Sequence, residues 1–187
     1  MTPVLHLLAG PNGAGKSTFV EAVLAPETYL PFVNADAIAA QRWPDDAEAH
    51  AYDASRLAAD ERARRLAAHE SFITETVFSH PSKTDLVRLA GSLDYLVHLH
   101  VIMVPLAVSQ SRVLERVELG GHSVPPDKVA ERYERLWTNL VEARQIADVT
   151  RYYDNSSARH PFQTVAQYTR GHLDRTRDWP TWAPTEP

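Results

Sequence analysis

The chain has 187 residues, enough for one domain with a buried core. Apolar residues make up 44% and charged residues 23%, with a formal net charge of −5. That balance excludes a disordered chain and a broad nucleic-acid-binding face, which needs a positive footprint. The absence of cysteine excludes disulfides, thiolate metal sites and thiol nucleophiles, and fits a cytoplasmic protein.

Val4–Ala9 is a short apolar run that reads as a buried strand. It has no basic segment before it and is far too short to span a membrane. Directly after it stands Gly10-Pro11-Asn12-Gly13-Ala14-Gly15-Lys16-Ser17-Thr18, a complete G-x-x-x-x-G-K-S phosphate-binding loop, and then a helix-like segment from Thr18 to Leu24. Glycines let successive backbone N–H groups turn toward a triphosphate, and the new helix points its positive end at that charge. Lys16 would reach the β- and γ-phosphates and Ser17 would ligate Mg²⁺. The loop alone does not choose ATP over GTP.

Further strands are predicted at Pro31–Asn34, Ser71–Val77, Tyr95–Val104 and Val149–Tyr153, with a sixth candidate at Phe162–Tyr168. Between them, helical patterns cover Asp46–Glu70, Ser82–Ala90 with Ser82 as N-cap, Ala107–Leu119 ending at Gly120-Gly121, and Lys128–Ile146. Strands alternating with helices predict one α/β domain over 1–187, with a mostly parallel sheet of five or six strands flanked by helices. Region 107–146 reads as a helical lid, and 174–187, rich in proline, as an extended peripheral tail.

Other residues fit the same chemistry. Asp36 follows the second strand, where ligand crevices open. It is either the base that takes a proton from an acceptor hydroxyl or the N-cap of a helix starting at Ala37. Glu75, ending the third strand beside Thr76, is suited to a Mg²⁺ shell or an acceptor contact. Arg112, Arg116, Arg132 and Arg135 flank the loop at 120–126, and arginines there would neutralise charge on a moving phosphoryl group; Arg116 and Arg132 are the favoured pair. Asn155, in Asp154-Asn155-Ser156, would either contact a nucleobase or belong to a polar turn. His98 and His100 alternate along a strand, a spacing that also fits metal ligands, although nothing nearby completes a set. Tyr133, Leu136 and Trp137 share a helix and read as core.

Taken together, the loop Gly10–Thr18, Asn34-Ala35-Asp36, Thr74-Glu75-Thr76, Arg116–Pro125 with its Gly-Gly-His-x-Val-Pro core, Arg132-Tyr133 and Asp154-Asn155-Ser156 resemble the zeta-toxin family of P-loop kinases, its short bacterial members above all. The resemblance runs from the first strand to about Ser156. It implies a kinase-type P-loop fold and ATP- and Mg²⁺-dependent phosphorylation of a sugar hydroxyl on UDP-N-acetylglucosamine. By match, Lys16 and Ser17 would serve ATP and Mg²⁺, Asp36 would be the base, Glu75 a substrate contact with Thr76 beside it, and Arg116 and Arg132 the phosphate-stabilising arginines. It also implies an antitoxin protein as partner, while neither nucleic acid nor membrane is expected. The chain is shorter than the well-known toxins, with little room for their sugar-nucleotide region. A second reading is an ATPase, switch or binding module controlled by a partner. A transporter ATPase is disfavoured because no Leu-Ser-Gly-Gly-Gln-type signature follows.

Overall fold

The computed structural model describes residues 2–118, 125–176 and 179–184. Seven strands form one sheet in the order β2-β3-β1-β4-β5-β6-β7. They are β1 (Val4–Ala9), β2 (Phe32–Val33), β3 (Phe72–Thr76), β4 (Leu96–Met103), β5 (Val149–Asp154), β6 (Gln163–Thr169) and β7 (His172–Thr176). The first five are parallel and the last two antiparallel; β6 falls on the sixth predicted strand, and the sheet gains β7 as its hairpin partner.

The helices are α1 (Lys16–Phe19), continued by a π-helical turn (Val20–Leu24) into α2 (Ala25–Thr28), then α3 (Ala35–Arg42), α4 (Ala51–Ala67), α5 (Ser82–Ser92), α6 (Leu106–Glu118) and α7 (Pro126–Ile146). Strand periodicity divides β1 between two cores. Leu5, Leu7 and Ala9 face the larger one, with Leu66 of α4, Val87 of α5 and Leu136 and Leu140 of α7. Leu8 faces the smaller core behind the phosphate loop, with Phe19, Val20, Ile102 and Tyr153. His6 shares the Leu8 side and meets the rings of His98 and His100.

Several local expectations change. Helix α4 begins at Ala51, not Asp46, because turns after Pro44 consume the intervening residues. Ser82 is the first residue of α5 rather than its cap: the backbone N–H of Ser82 donates to Nδ1 of His80 at 3.2 Å. The tail is tied down. Beyond β7, Trp179 stands edge-on to Tyr152 at 5.4 Å, and its indole donates to the Pro184 carbonyl at 2.9 Å. Tyr133, Leu136 and Trp137 are core, as read from the sequence, so α7 is rooted in the domain along that face. The expected Gly120-Gly121 cap and the rest of 119–124 lie outside the described residues.

Candidate active site

In-register pairing sets the site. Leu8 and Ala9 of β1 lie opposite Glu75 and Thr76 of β3, so the loop that follows β1 emerges beside the Glu75 carboxylate. The loop turns through Gly13 (φ 70°) and Gly15 (φ 90°), left-handed conformations that glycine alone adopts without strain. At Gly15 a Cβ would also stand 2.6 Å from Nδ2 of Asn155. At the root of the loop, a Cβ on Gly10 would lie 2.4 Å from the Ile102 carbonyl oxygen.

The predicted loop residues divide by face. Gly10, Pro11 and Ala14 form the buried underside, whereas Asn12, Gly13, Gly15, Lys16, Ser17 and Thr18 line an open crevice of about 930 Å³. The buried Lys16 ammonium donates to the carbonyls of Gly10 (3.1 Å) and Pro11 (3.0 Å). Burial pulls it below the ordinary lysine value. Glu75 and Asp36 oppose that shift and Arg116 adds to it, so the ammonium feels all three charges. A phosphate oxygen is a better partner for this ammonium than two neutral carbonyls, because it adds an opposite charge to the hydrogen bond.

The Ser17 hydroxyl donates to Glu75 Oε2 at 2.9 Å. Two oxygen donors at that separation, open to the crevice, fit the shell of a hard cation such as Mg²⁺. Asp36 occupies the first turn of α3 but does not cap it. The cap is Asn34, whose Oδ1 accepts from the Ala37 N–H at 3.0 Å. The Asp36 carboxylate is thereby left exposed on the crevice wall. Thr76 lines the same wall, and its hydroxyl accepts from the Phe78 N–H at 3.1 Å.

Arg116 and Arg132, from α6 and α7, both reach the crevice. Arg135 does not line it and is ion-paired with Glu131 at 3.3 Å. Arg112 has a structural post: it donates to the Gly13 carbonyl at 3.3 Å and the Asn155 carbonyl at 3.1 Å. Asn155 takes the polar-turn alternative and adds a contact to the loop. Ser156 N–H donates to Asp154 Oδ1 at 2.8 Å, which is a polar turn, and Asn155 Nδ2 donates to the Ala14 carbonyl at 2.8 Å. Its amide therefore braces the loop from below.

Two contributors escaped the sequence reading. The fully buried Ser109 donates its hydroxyl to the Asn12 carbonyl at 2.6 Å. Phe162 lines the crevice, packs edge-on against Phe19 at 5.1 Å and offers an apolar ring beside Gly15. An isolated serine and an isolated phenylalanine carry no local signal of such positions. His98 and His100 join His6, with His6 Nδ1 and His100 Nε2 at 3.0 Å; among the described residues no three His, Asp or Glu side chains are placed to hold a metal ion.

A glycine-rich loop between the central strand and a helix, on a sheet ordered β2-β3-β1-β4-β5, defines a P-loop domain of the kinase-like kind. Residues 5–140 match a family model described as an AAA domain, AAA_33, and the chain belongs to that family. No curated protein matches its sequence. Among solved structures it is similar to the AvrRxo1-ORF1:-ORF2 complex with ATP (TM-score 0.71, 18% identity, covering 92% of this chain and 60% of that one). It is also similar to the PezAT chromosomal toxin-antitoxin system of Streptococcus pneumoniae (TM-score 0.60, 16% identity, 82% and 68%). A gluconokinase from Sinorhizobium meliloti 1021 matches too (TM-score 0.51, 20% identity, 82% and 83%). These likenesses establish the fold. Among the described residues no helix is long and apolar enough to cross a membrane.

Proposed function

We propose that this chain is a small-molecule kinase of zeta-toxin-like type, moving the γ-phosphoryl group of ATP to a substrate hydroxyl with Mg²⁺. One observation carries the reading: a buried ammonium, a Ser17–Glu75 oxygen pair and an exposed carboxylate on a helix start share one crevice. In the reaction the acceptor oxygen forms a bond to the γ-phosphorus as the bond from that phosphorus to the β-bridging oxygen breaks. ADP leaves with the electron pair, and the hydroxyl proton passes to Asp36. Lys16 exchanges its two carbonyl partners for phosphate oxygens, and Arg116 and Arg132 neutralise the charge of the moving group. Ser17 and Glu75 would hold Mg²⁺, which when bound shields the phosphate oxygens. The ring of Phe162 supports a place for the nucleobase beside Gly15.

The resemblance to zeta toxins makes UDP-N-acetylglucosamine the first acceptor to try, and the likeness to the PezAT system supports looking for a partner protein encoded alongside. The direct experiment is mass spectrometry of a metabolite mixture incubated with protein, Mg²⁺ and ATP. A product heavier by one phosphoryl group, formed at least a hundredfold more slowly with Asp36→Asn, is expected, on the order of a positioned base's worth. ATP turnover with no phosphorylated product from any hydroxyl compound would favour the partner-controlled ATPase instead.

A further inference from the structure

A second cavity of about 430 Å³ opens beside the phosphate crevice, between α4, α5 and the end of β3. Ala35, Ser55, Glu75 and Thr76 line both, so the two spaces meet around the Glu75 carboxylate. The volume is in the range that takes a small metabolite. Its wall is largely apolar, with Leu66, Leu86 and Leu89.

Into this wall project two cations, Arg62 from α4 and Lys83 from α5. Neither side chain has a hydrogen bond or ion pair among the described residues. Of the acids nearby, Glu75 at the shared mouth accepts from the Ser17 hydroxyl, and two others are paired with arginines. Glu61 is held by Arg64 at 2.9 Å and Arg65 at 2.7 Å, and Asp85 by Arg88 at 2.8 Å. Burial lowers the affinity of both Arg62 and Lys83 for their protons, and at Lys83 the Arg62 charge adds to that effect. Two half-buried like charges facing one another cost free energy in the empty protein, and an anion between them removes that cost.

Building on the kinase reading above, we infer that this side cavity is the acceptor subsite, taking a small anionic hydroxyl compound whose carboxylate or phosphate sits on Arg62 and Lys83. The apolar wall receives the body of the acceptor, and its hydroxyl faces the shared mouth, toward Asp36 and the γ-phosphate. A neutral polyol lacks the group that the two cations ask for and is a poor substrate.

The test is a binding titration on protein saturated with Mg²⁺ and a non-hydrolysable ATP analogue, which keeps anions off the phosphate loop. The probes are phenyl phosphate, benzoate and, as the neutral control, benzyl alcohol. Saturable binding of at least one anion is expected, weakened at least tenfold by Arg62→Gln with Lys83→Gln and by less in each single variant. Affinity for the ATP analogue should stay within twofold, and the thermal midpoint of the double variant should hold or rise, because a repulsion is gone. The phosphate and carboxylate arms tell which anion the cavity prefers. Equal anion binding by the double variant, or none by the parent protein, overturns the assignment. Failure of the ATP analogue to bind would instead sink the kinase reading, and the benzoate arm would still report on this cavity alone.

Discussion

Acid should unfold this protein through three rings packed beneath the phosphate loop. His6 is nearly buried, touches His98 at 5.1 Å between ring centres, and shares a hydrogen with His100 at 3.0 Å; His100 in turn meets Phe19 of α1 at 5.8 Å. Burial, then the charges of His98 and Arg151, lower His6 from 6.5 to about 4, and His100 is lowered for the same kinds of reason. The folded ring therefore stays neutral where the unfolded ring takes a proton, so stability is complete above pH 6.5 and is lost as pH falls toward 4. For His6 the loss at pH 5 is about 2 kcal/mol, a ceiling because solvent reaches one edge of the ring. Urea unfolding at pH 7.5 and pH 5.0 measures it, with His6→Gln as the non-titrating control. The variant should show a pH penalty smaller by that amount, which separates the ring from the carboxylates that also titrate. Equal penalties in the two proteins would refute the reasoning.

Three further outcomes concern the site. Asp36→Asn should keep ATP affinity within about twofold while lowering transfer by roughly 10²–10⁴, the usual worth of a positioned base, as read by isothermal titration beside a product assay. Lys16→Ala should abolish measurable ATP binding without lowering the thermal midpoint, because a buried cation with only carbonyl partners contributes little to folding. Asn155→Ala removes the brace at Ala14 and should cost about 1 kcal/mol in urea unfolding, together with a several-fold weaker ATP affinity. An unchanged ATP affinity in that variant would mean that the loop holds its shape without β5.

Much of this architecture was legible because chemistry restricts the residues that can do it. A loop that turns amides inward at Gly13 and Gly15 admits few sequences, and the strand before it must be largely buried, as Val4–Ala9 is. Interactions decided by three-dimensional neighbours were not legible. Asn34 and Asp36 are equivalent N-cap candidates by residue type, and only the helix start at Ala35 makes Asn34 the cap and leaves Asp36 open. Arg112 and Arg116 share one helical spacing, yet Arg112 meets two carbonyls that come from 99 and 43 residues away. Strand β6 was legible, but β7 was hidden by its short, polar alternation. Arg62 and Lys83 carry no sequence signal of their own, because no local pattern reveals that Glu61 and Asp85 pair with other arginines.

The fastening of α6 has a consequence for timing. Ser109 grips the Asn12 carbonyl and Arg112 grips Gly13 and Asn155, so the first two turns of this helix are riveted to the floor under the nucleotide. A rod anchored there cannot swing from its base. On the kinase reading, product would leave past a helix whose base stays put, and turnover should be insensitive to solvent viscosity beyond the drag of diffusion itself.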